Sequence, residues 1–291
     1  MSGERTIGVW LLIRRIEPVE VPVGVENFVD ETALLELATE AVAASAAEVM
    51  ELFTDPAGLL VSAKESPADV VTEADVIGER IVTEVILGAR PDDSFIGEEG
   101  TRIAGSSSVT WVLDPVDSTA NFARGIPIWS ISLAAVVDGD IRIAVVAYPP
   151  AGEVYSANSS TGILLNGSPI GPRPMRSLEA SMFGIGWGPN AAPGRHGVVA
   201  DGLIPRVGKV RSPGSPALGL SWAAIGRFDA VYYEMDFNEW DIRAGAFLCE
   251  QGGLRVGEFQ PTDPHVSPRL LAAPDHLWDY FAAVVFDQGS L

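Results

Sequence analysis

Two aspartates three residues apart, Asp114 and Asp117, stand at the end of an apolar run. An apolar run of this length followed by proline predicts a buried strand that runs into a tight turn. Ser118 and Thr119 come next and are typical of helix starts, where backbone N–H groups are free to face an anion. A divalent cation such as Mg²⁺ binds carboxylates on one side and substrate phosphate on the other. The stretch therefore indicates metal-dependent phosphate chemistry.

The same stretch has a purely structural interpretation, because Asp-Pro and Asp-Ser-Thr are common in turns and helix caps. Matching carboxylates elsewhere decide between the two. Glu98 follows a short apolar segment in a glycine-flanked turn, Asp241 begins a predicted helix, and Asp75 lies three residues after Thr72 as in a capping box. Taken alone, Glu98 is explained as a solvated loop acid, Asp241 as a first-turn acid that complements the helix dipole, and Asp75 as the acid of the capping box. Together they lie where rigid elements direct side chains into a shared cleft.

Composition narrows the chemistry further. The 291 residues carry a formal net charge of -20, which argues against nucleic acid or an anionic membrane as the main partner. A small phosphorylated substrate remains compatible if cations neutralise the site. One cysteine and three scattered histidines argue against a disulfide framework, a cysteine-rich zinc site or a histidine-based metal site. A carboxylate site for a hard metal remains. No apolar run reaches the length of a membrane helix, so a cytoplasmic enzyme is expected.

The order of elements predicts a layered α/β or α+β enzyme, because antiparallel hairpins come first and alternating strands and helices follow. Residues 1–26 are expected to form an extension, 27–165 an α+β subdomain with the metal site, and 166–291 an α/β subdomain that completes it. Helices are predicted at 30–53, 72–87, 215–225, 240–251 and 275–286. Strands are predicted at 59–63, 94–96, 109–113, 128–137, 141–148, 153–158, 163–165, 182–185, 207–210, 228–233 and 270–273.

Four motifs in this order resemble those of the inositol monophosphatase family, within the larger group that includes fructose-1,6-bisphosphatase and 3′-phosphoadenosine phosphatases. The resemblance extends over roughly residues 30–286, and any one motif alone is weak to moderate. The motifs are KESPADVVTEAD at 64–75, FIGEE at 95–99, DPVDSTANF at 114–122, and WDIRAG at 240–245 with EQGG at 250–253.

This resemblance implies a layered α-β-α-β-α sandwich of the sugar-phosphatase type, two or three Mg²⁺ ions and a homodimer. It also implies a role for each matching position. The metal ligands would be Glu98, Asp114, the Val116 carbonyl, Asp117 and Asp241, with Asp75 also near a metal. Asp75 and Thr119 would hold and activate the attacking water, and Glu98 counts with them as catalytic. The substrate would meet Val116, Asp117, Ser118, Thr119, Gly214, Ser215, Pro216, Glu234 and Asp241.

Within that set, the N–H groups of Ser118 and Thr119 would bind the phosphate. Glu234 would contact the hydroxyls of the substrate. Gly214–Pro216 would lie beside the sugar or inositol ring.

Three positions depart from the family pattern. Ser118 replaces a usual glycine and is strained if that position needs a positive φ. Arg243 replaces a small residue, and at two residues after Asp241 it projects about 200° away from it on a helix. It is therefore expected to affect packing or an interface rather than ligation. Gln251 replaces a common alanine.

The function predicted on this basis is Mg²⁺-dependent hydrolysis of a phosphate monoester of a small polyol or sugar. Two alternatives of the same fold are phosphatases of histidinol phosphate and of 3′-phosphoadenosine compounds, for which Trp187 is a candidate stacking platform. An alternative from another class is a non-catalytic descendant that binds a phosphorylated ligand or a protein.

Overall fold

A computed structural model describes residues 29–55, 59–63, 70–171, 173–188, 195–259 and 267–286. Within these ranges, the helices are α1 (Glu31–Thr54), α2 (Glu73–Ala89), α3 (Thr119–Phe122), α4 (Arg195–Leu203), α5 (Pro216–Ala224), α6 (Glu239–Gln251) and α7 (Asp275–Phe286). The strands are β1 (Val61–Ala63), β2 (Val70–Thr72), β3 (Ser94–Gly97), β4 (Arg102–Ile103), β5 (Val109–Asp117), β6 (Ser130–Val137), β7 (Asp140–Tyr148), β8 (Glu153–Asn158), β9 (Leu164–Leu165), β10 (Ser168–Pro169), β11 (Met182–Trp187), β12 (Lys209–Arg211), β13 (Ala230–Glu234), β14 (Arg255–Phe259) and β15 (Arg269–Ala273).

Two large sheets carry the fold. The first has eight strands in the order β10-β9-β8-β7-β6-β5-β3-β4, and only the β3–β5 pair is parallel. The second has five strands in the order β12-β11-β13-β15-β14, with its first three strands parallel. Strands β1 and β2 form a separate antiparallel hairpin just before α2.

Three separate hydrophobic clusters show how the layers stack. Side chains of α1 and α2 pack on one face of the eight-stranded sheet, with Trp111 fully buried among them. Side chains of α5 and α6, including Leu220 and Leu248, fill the space between the two sheets. Side chains of α4 and α7 cover the outer face of the five-stranded sheet, where Phe183 meets Phe281. The predicted α-β-α-β-α sandwich is therefore confirmed.

Local sequence signals locate the helices well. Asp30 caps α1, with its side chain accepting from Thr32 N and Ala33 N at 3.0 and 3.1 Å. Thr72 and Asp75 form the predicted capping box at the start of α2. All five predicted helices match α1, α2, α5, α6 and α7 within two residues at each end. These signals act through neighbours in the chain, so the sequence alone carries them.

Strand β5 is longer than predicted. We expected β5 to turn after Leu113, but it continues through Pro115 to Asp117. Asp114 pairs with Ser132 and Asp117 with Ser130, so three steps along β5 oppose two along β6. This is a β-bulge, and a bulge tolerates a proline because it breaks the hydrogen-bonded ladder locally.

Some short elements were not predicted from the sequence, namely β2, β4, β10, α4 and β14. The expected N-terminal extension at 1–26 and the loop at 64–67 lie outside the described residues. Among the described helices, none combines the length and the apolar character that crossing a membrane requires.

Candidate active site

Three carboxylates from distant parts of the chain converge at one point. Glu98, Asp114 and Asp241 each place one carboxylate oxygen within 4.8 Å of the others, and we call them the carboxylate cluster. Glu98 lies in the turn after β3, Asp114 on β5, and Asp241 in the first turn of α6. The structure therefore brings together three of the residues that the sequence predicts for the site.

The electrostatics of the carboxylate cluster favour a bound cation. Burial raises the pKa of Asp114 well above its usual range, and the nearby charges of Glu98, Asp117 and Asp241 raise it further. Like charges held this close repel each other unless a proton or a cation lies between them. Since every donor in the cluster is a carboxylate oxygen, the site fits a hard divalent ion.

The bulge in β5 sets the directions of its two aspartates. Asp114 Oδ1 accepts a hydrogen bond from Val116 N at 3.0 Å, which closes the bulge locally. Asp117 Oδ2 accepts from Ala217 N at 2.9 Å, from Ser130 Oγ at 3.1 Å, and from the Ser215 hydroxyl. Burial raises the pKa of Asp117 to about 7, although these three hydrogen bonds act in the opposite direction.

The sequence predicts Ser215 beside the sugar or inositol ring of the substrate. In the structure its hydroxyl contacts Asp117. Its side chain is fully buried, caps α5 through Leu218 N at 3.2 Å, and donates to Asp117. Pro216 is also buried, as the first residue of α5. In the described conformation the Ser215 hydroxyl therefore holds Asp117 rather than facing open space. Gly214 has a φ of +93°, and a Cβ there would lie 2.9 Å from the Asn121 side-chain nitrogen.

Asp75 and Thr119, predicted to hold water together, do meet in the structure. The Thr119 hydroxyl lies 3.0 Å from Asp75 Oδ1 and 3.1 Å from the Val116 carbonyl oxygen, so it can donate to either. Asp75 Oδ2 accepts from Thr72 N at 2.8 Å and from the Thr72 hydroxyl at 2.6 Å. Burial outweighs these bonds and raises the pKa of Asp75 to about 7.

Ser118 adopts a left-handed conformation, so this position does need a positive φ. Its φ is +79° and its ψ is +54°, and its side chain makes no capping bond to α3. The left-handed region costs a non-glycine residue about 1–2 kcal/mol, because Cβ approaches the following carbonyl oxygen. The turn is nevertheless formed, since the Ser118 carbonyl accepts from Asn121 N at 2.9 Å and from Phe122 N at 3.1 Å.

Glu79 is a site-supporting residue that sequence reasoning missed. It lies on α2 with 4% exposure, and its carboxylate accepts from Glu99 N at 2.7 Å and from Thr101 N at 2.9 Å. A Cβ on Gly97 would lie only 2.2 Å from Glu79 Oε2, so glycine is required where the carboxylate enters the turn. Glu79 thus fixes the turn that carries Glu98. Its partners are backbone groups about 20 residues away, which leave no sequence signal.

Glu234 lies in a buried pair rather than at an open surface. It is fully buried at the end of β13, where Tyr232 Oη donates to its Oε2 at 2.5 Å. Arg269 Nε lies 3.7 Å from its Oε1, and Arg269 is itself 4% exposed. Contact between Glu234 and substrate hydroxyls stays a prediction, and it requires this pair to open.

Arg243 lies on the buried side of α6, in agreement with the expectation that it affects packing. It is 5% exposed, and its Nη2 lies 3.3 Å from Glu239 Oε1 one helical turn earlier.

Comparison with known proteins places the chain in a family. The family description "Inositol monophosphatase family" matches residues 30–284. An inositol-1-monophosphatase of Rhizobium meliloti is 36% identical over 226 residues, which cover 76% of this chain and 84% of that protein. A protein of Xylella fastidiosa named Nus factor SuhB is 32% identical over 209 residues, covering 71% and 74%.

A solved structure agrees. The extragenic suppressor protein suhB of Bartonella henselae superimposes with a TM-score of 0.81 at 25% identity, covering 89% of this chain and 100% of that one. The fold and the site together define a metal-binding phosphatase, a class of hydrolase. More particularly, the chain belongs to the inositol monophosphatase family.

Proposed function

We propose that this phosphatase hydrolyses a phosphate monoester of a small polyol or sugar and depends on Mg²⁺. The observation that carries the proposal is the carboxylate cluster, whose oxygens lie within 4.8 Å of one another. Bound there, two or three Mg²⁺ ions would supply charge stabilisation to the phosphoryl group in the transition state. Asp117 and the Val116 carbonyl oxygen extend the set of oxygen donors that would hold the ions.

The remaining groups of the site position the reactants. Asp75 accepts a proton from the Thr119 hydroxyl or from a water beside it, since its carboxylate faces that hydroxyl at 3.0 Å. The N–H groups of Ser118 and Thr119 are assigned to the phosphate. Asp117 is held by Ser130, Ser215 and α5, so it keeps its direction when the substrate enters. No histidine base is needed in this arrangement.

A polyol or sugar is favoured over the two alternative substrates. The similarity to a protein named inositol-1-monophosphatase supports it. A 3′-phosphoadenosine substrate would need an aromatic platform for its base. The candidate Trp187 packs against the outer hydrophobic core and is only partly exposed, which argues against that use. Histidinol phosphate remains the alternative that an assay must exclude.

The test is phosphate release from a panel of esters, with Mg²⁺ and with EDTA. The panel holds inositol phosphates, sugar phosphates, histidinol phosphate and 3′-phosphoadenosine 5′-phosphate. We expect release from a polyol or sugar ester that needs Mg²⁺ and is lost in Asp114→Asn. An exposed aspartate of α4 gives the matched control, Asp201→Asn, which should keep the activity. Release that persists in EDTA, or in Asp114→Asn, would contradict the proposal.

A non-catalytic role is the second candidate, and Ser118 is the observation that favours it. The similarity to a protein named Nus factor SuhB is compatible with a role in a protein assembly. On this hypothesis the strain of the left-handed Ser118 weakens the phosphate-binding turn, so Ser118→Gly should recover much of the activity. A parent protein that is already fully active would exclude it.

A homodimer in the cytoplasm completes the proposal and rests on the family resemblance. Light scattering coupled to size-exclusion chromatography should return about twice the chain mass of 30.8 kDa. A mass equal to one chain would contradict the dimer.

A further inference from the structure

The turn between β5 and α3 holds a serine in a backbone conformation that suits glycine better. Ser118 has a φ of +79°, which glycine adopts without strain. Glycine is also the usual residue at this position of the family motif. Backbone strain of this kind persists only where the surrounding structure enforces it, and it is common at functional sites. The side chain of Ser118 therefore needs an explanation of its own.

The Ser118 hydroxyl has no hydrogen-bond partner among the residues that the structure describes. It makes no capping bond to α3, and the residue is only half-buried. Two other hydroxyls around this turn are already committed to carboxylates. The Thr119 hydroxyl lies 3.0 Å from Asp75 Oδ1, and the Ser215 hydroxyl donates to Asp117. The Ser118 hydroxyl is therefore available to a ligand.

Hydrogen bonds connect this turn to the carboxylate cluster. Val116 N donates to Asp114 Oδ1 at 3.0 Å, and Asp114 is a member of the cluster. The Thr119 hydroxyl lies 3.1 Å from the Val116 carbonyl oxygen. Val116 and Thr119 flank Ser118 on either side, so measured contacts hold the serine beside the cluster.

A loop from the second half of the chain lies against the Ser118 hydroxyl. A Cβ added to Gly214 would lie 3.3 Å from Ser118 Oγ. Asn121 Nδ2 donates to the Pro213 carbonyl oxygen at 3.1 Å and so ties this loop to the turn. Gly214 is exposed, so a ligand can reach the hydroxyl from solvent. Because Gly214 is assigned to the sugar or inositol ring, the hydroxyl faces the side of the leaving group.

The chemistry of the site indicates which part of a substrate this hydroxyl meets. The carboxylate cluster, Asp75 and Asp117 present acceptors, to which the hydroxyls of a polyol can donate. The oxygens of a phosphate dianion only accept hydrogen bonds, so they need donors. Hydrogen bonds to a charged acceptor are also about twice as strong as neutral ones. A free hydroxyl donor in a site rich in acceptors therefore matches the phosphate better than the polyol.

We propose that the Ser118 hydroxyl donates a hydrogen bond to the phosphate of the substrate, on the side that faces the leaving group. This inference rests on the proposed function and adds a side-chain donor to the two backbone N–H groups assigned to the phosphate. Glycine at this position lacks the donor. The serine would then contribute to binding although its strain lowers the stability of the protein.

Two substitutions separate the hydroxyl from the strain. Ser118→Ala removes the hydroxyl and keeps the left-handed Cβ, whereas Ser118→Gly removes both. Inorganic phosphate, titrated by calorimetry in the presence of Mg²⁺, should bind to both variants about tenfold or more weakly than to the parent, as for a lost hydrogen bond to a charged group. Because glycine relieves the strain, unfolding cannot explain weaker binding by Ser118→Gly.

Asp138 offers a matched control for the relief of strain. It is an exposed residue with a φ of +53° in the turn between β6 and β7, at the opposite end of β6 from Ser130. Asp138→Gly should bind inorganic phosphate as the parent does. Equal binding by the parent and Ser118→Ala, tighter binding by Ser118→Gly, or no phosphate binding by the parent would overturn the proposal.

Steady-state kinetics on the best ester of the panel give a second readout. If the contact is made equally to the bound substrate and to the transition state, KM should rise about tenfold in both variants with little change in kcat. A kcat/KM of Ser118→Ala equal to the parent's would contradict the proposal. Weaker phosphate binding by both variants, without hydrolysis of any ester, would support the contact and count against the proposed function alone.

Discussion

Replacing Asp114 by asparagine should change stability in opposite directions with and without Mg²⁺. Two unit charges 4.8 Å apart repel by about 3.5 kcal/mol at an effective dielectric constant of about 20. Asp114 faces two such partners, Glu98 and Asp241, and its raised pKa favours the protonated form, which lowers the cost of the repulsion. We therefore expect Asp114→Asn to stabilise the metal-free protein by about 1–3 kcal/mol. Asparagine keeps the Oδ1 acceptor that Val116 N needs.

These changes in stability can be measured as shifts in Tm by thermal unfolding. A chain of this length unfolds with an entropy of about 0.6 kcal/mol/K, so 1–3 kcal/mol corresponds to a rise in Tm of about 2–5 °C in EDTA. Mg²⁺ at a hundred times its Kd should stabilise the parent by about 2.7 kcal/mol, or about 4–5 °C. Asp114→Asn should lose most of that second shift. Asp201→Asn, whose aspartate is exposed, should match the parent in both conditions.

The two shifts together test the reasoning. If Asp114→Asn melts below the parent in EDTA, the aspartate stabilises the fold and the repulsion argument is refuted. If the variant keeps the full Mg²⁺ shift, Asp114 is not a ligand, whatever happens to the activity.

Three further predictions follow from single contacts. Ser118→Gly should raise the free energy of unfolding by about 1 kcal/mol in urea denaturation, because glycine adopts the φ of +79° without strain; a loss would show that the serine is not strained. Glu79→Gln should lower the free energy of unfolding by about 1–3 kcal/mol and weaken Mg²⁺ binding in calorimetry, because an amide NH₂ would face Glu99 N or Thr101 N. The control Glu84→Gln, at an exposed position, should change neither the unfolding free energy nor Mg²⁺ binding. Burial raises the pKa of Asp75 to about 7, so the folded metal-free protein keeps a proton that the unfolded chain has lost. The contribution of Asp75 to the unfolding free energy should therefore fall as pH rises from about 4 to about 7 and level off above. Asp75→Asn should show a shallower fall than the parent over this range, and an equal slope would contradict the assignment.

The sequence was sufficient where the determining groups are near neighbours in the chain. Asp30 and Thr72 cap helices through N–H groups two or three residues away, so the pattern itself contains the contact. The ligand candidates also follow from the sequence, because Glu98, Asp114 and Asp241 stand at predicted strand ends or helix starts. Their convergence within 4.8 Å is a property of the packed layers that only the structure measures.

Contacts between distant segments could not be predicted in this way. Glu79 holds the Glu98 turn through backbone groups, which any sequence would supply. Ser215 was assigned to the substrate by its motif, yet packing directs it to Asp117, 98 residues away. Glu234 is drawn into a pair with Arg269, a residue that no motif indicated. In each case the deciding partner is set by tertiary packing, which local propensity does not encode.

Two helix N-termini stabilise buried carboxylates of the site in this acidic chain, whose net charge is -20. The backbone N–H of Ala217, in the first turn of α5, donates to Asp117, and Asp241 lies in the first turn of α6, where Asn238 N donates to it at 2.6 Å. Helix N-termini favour negative charge by about 0.3–1 kcal/mol each, and up to about 2 when partly buried. That support is smaller than the cost of burial, because the pKa of Asp117 still rises to about 7. The helices between the two sheets therefore direct the carboxylates and stabilise them in part. A bound cation would remove the remaining free-energy cost of burying these charges. For this reason we expect metal binding and stability to be linked in this protein.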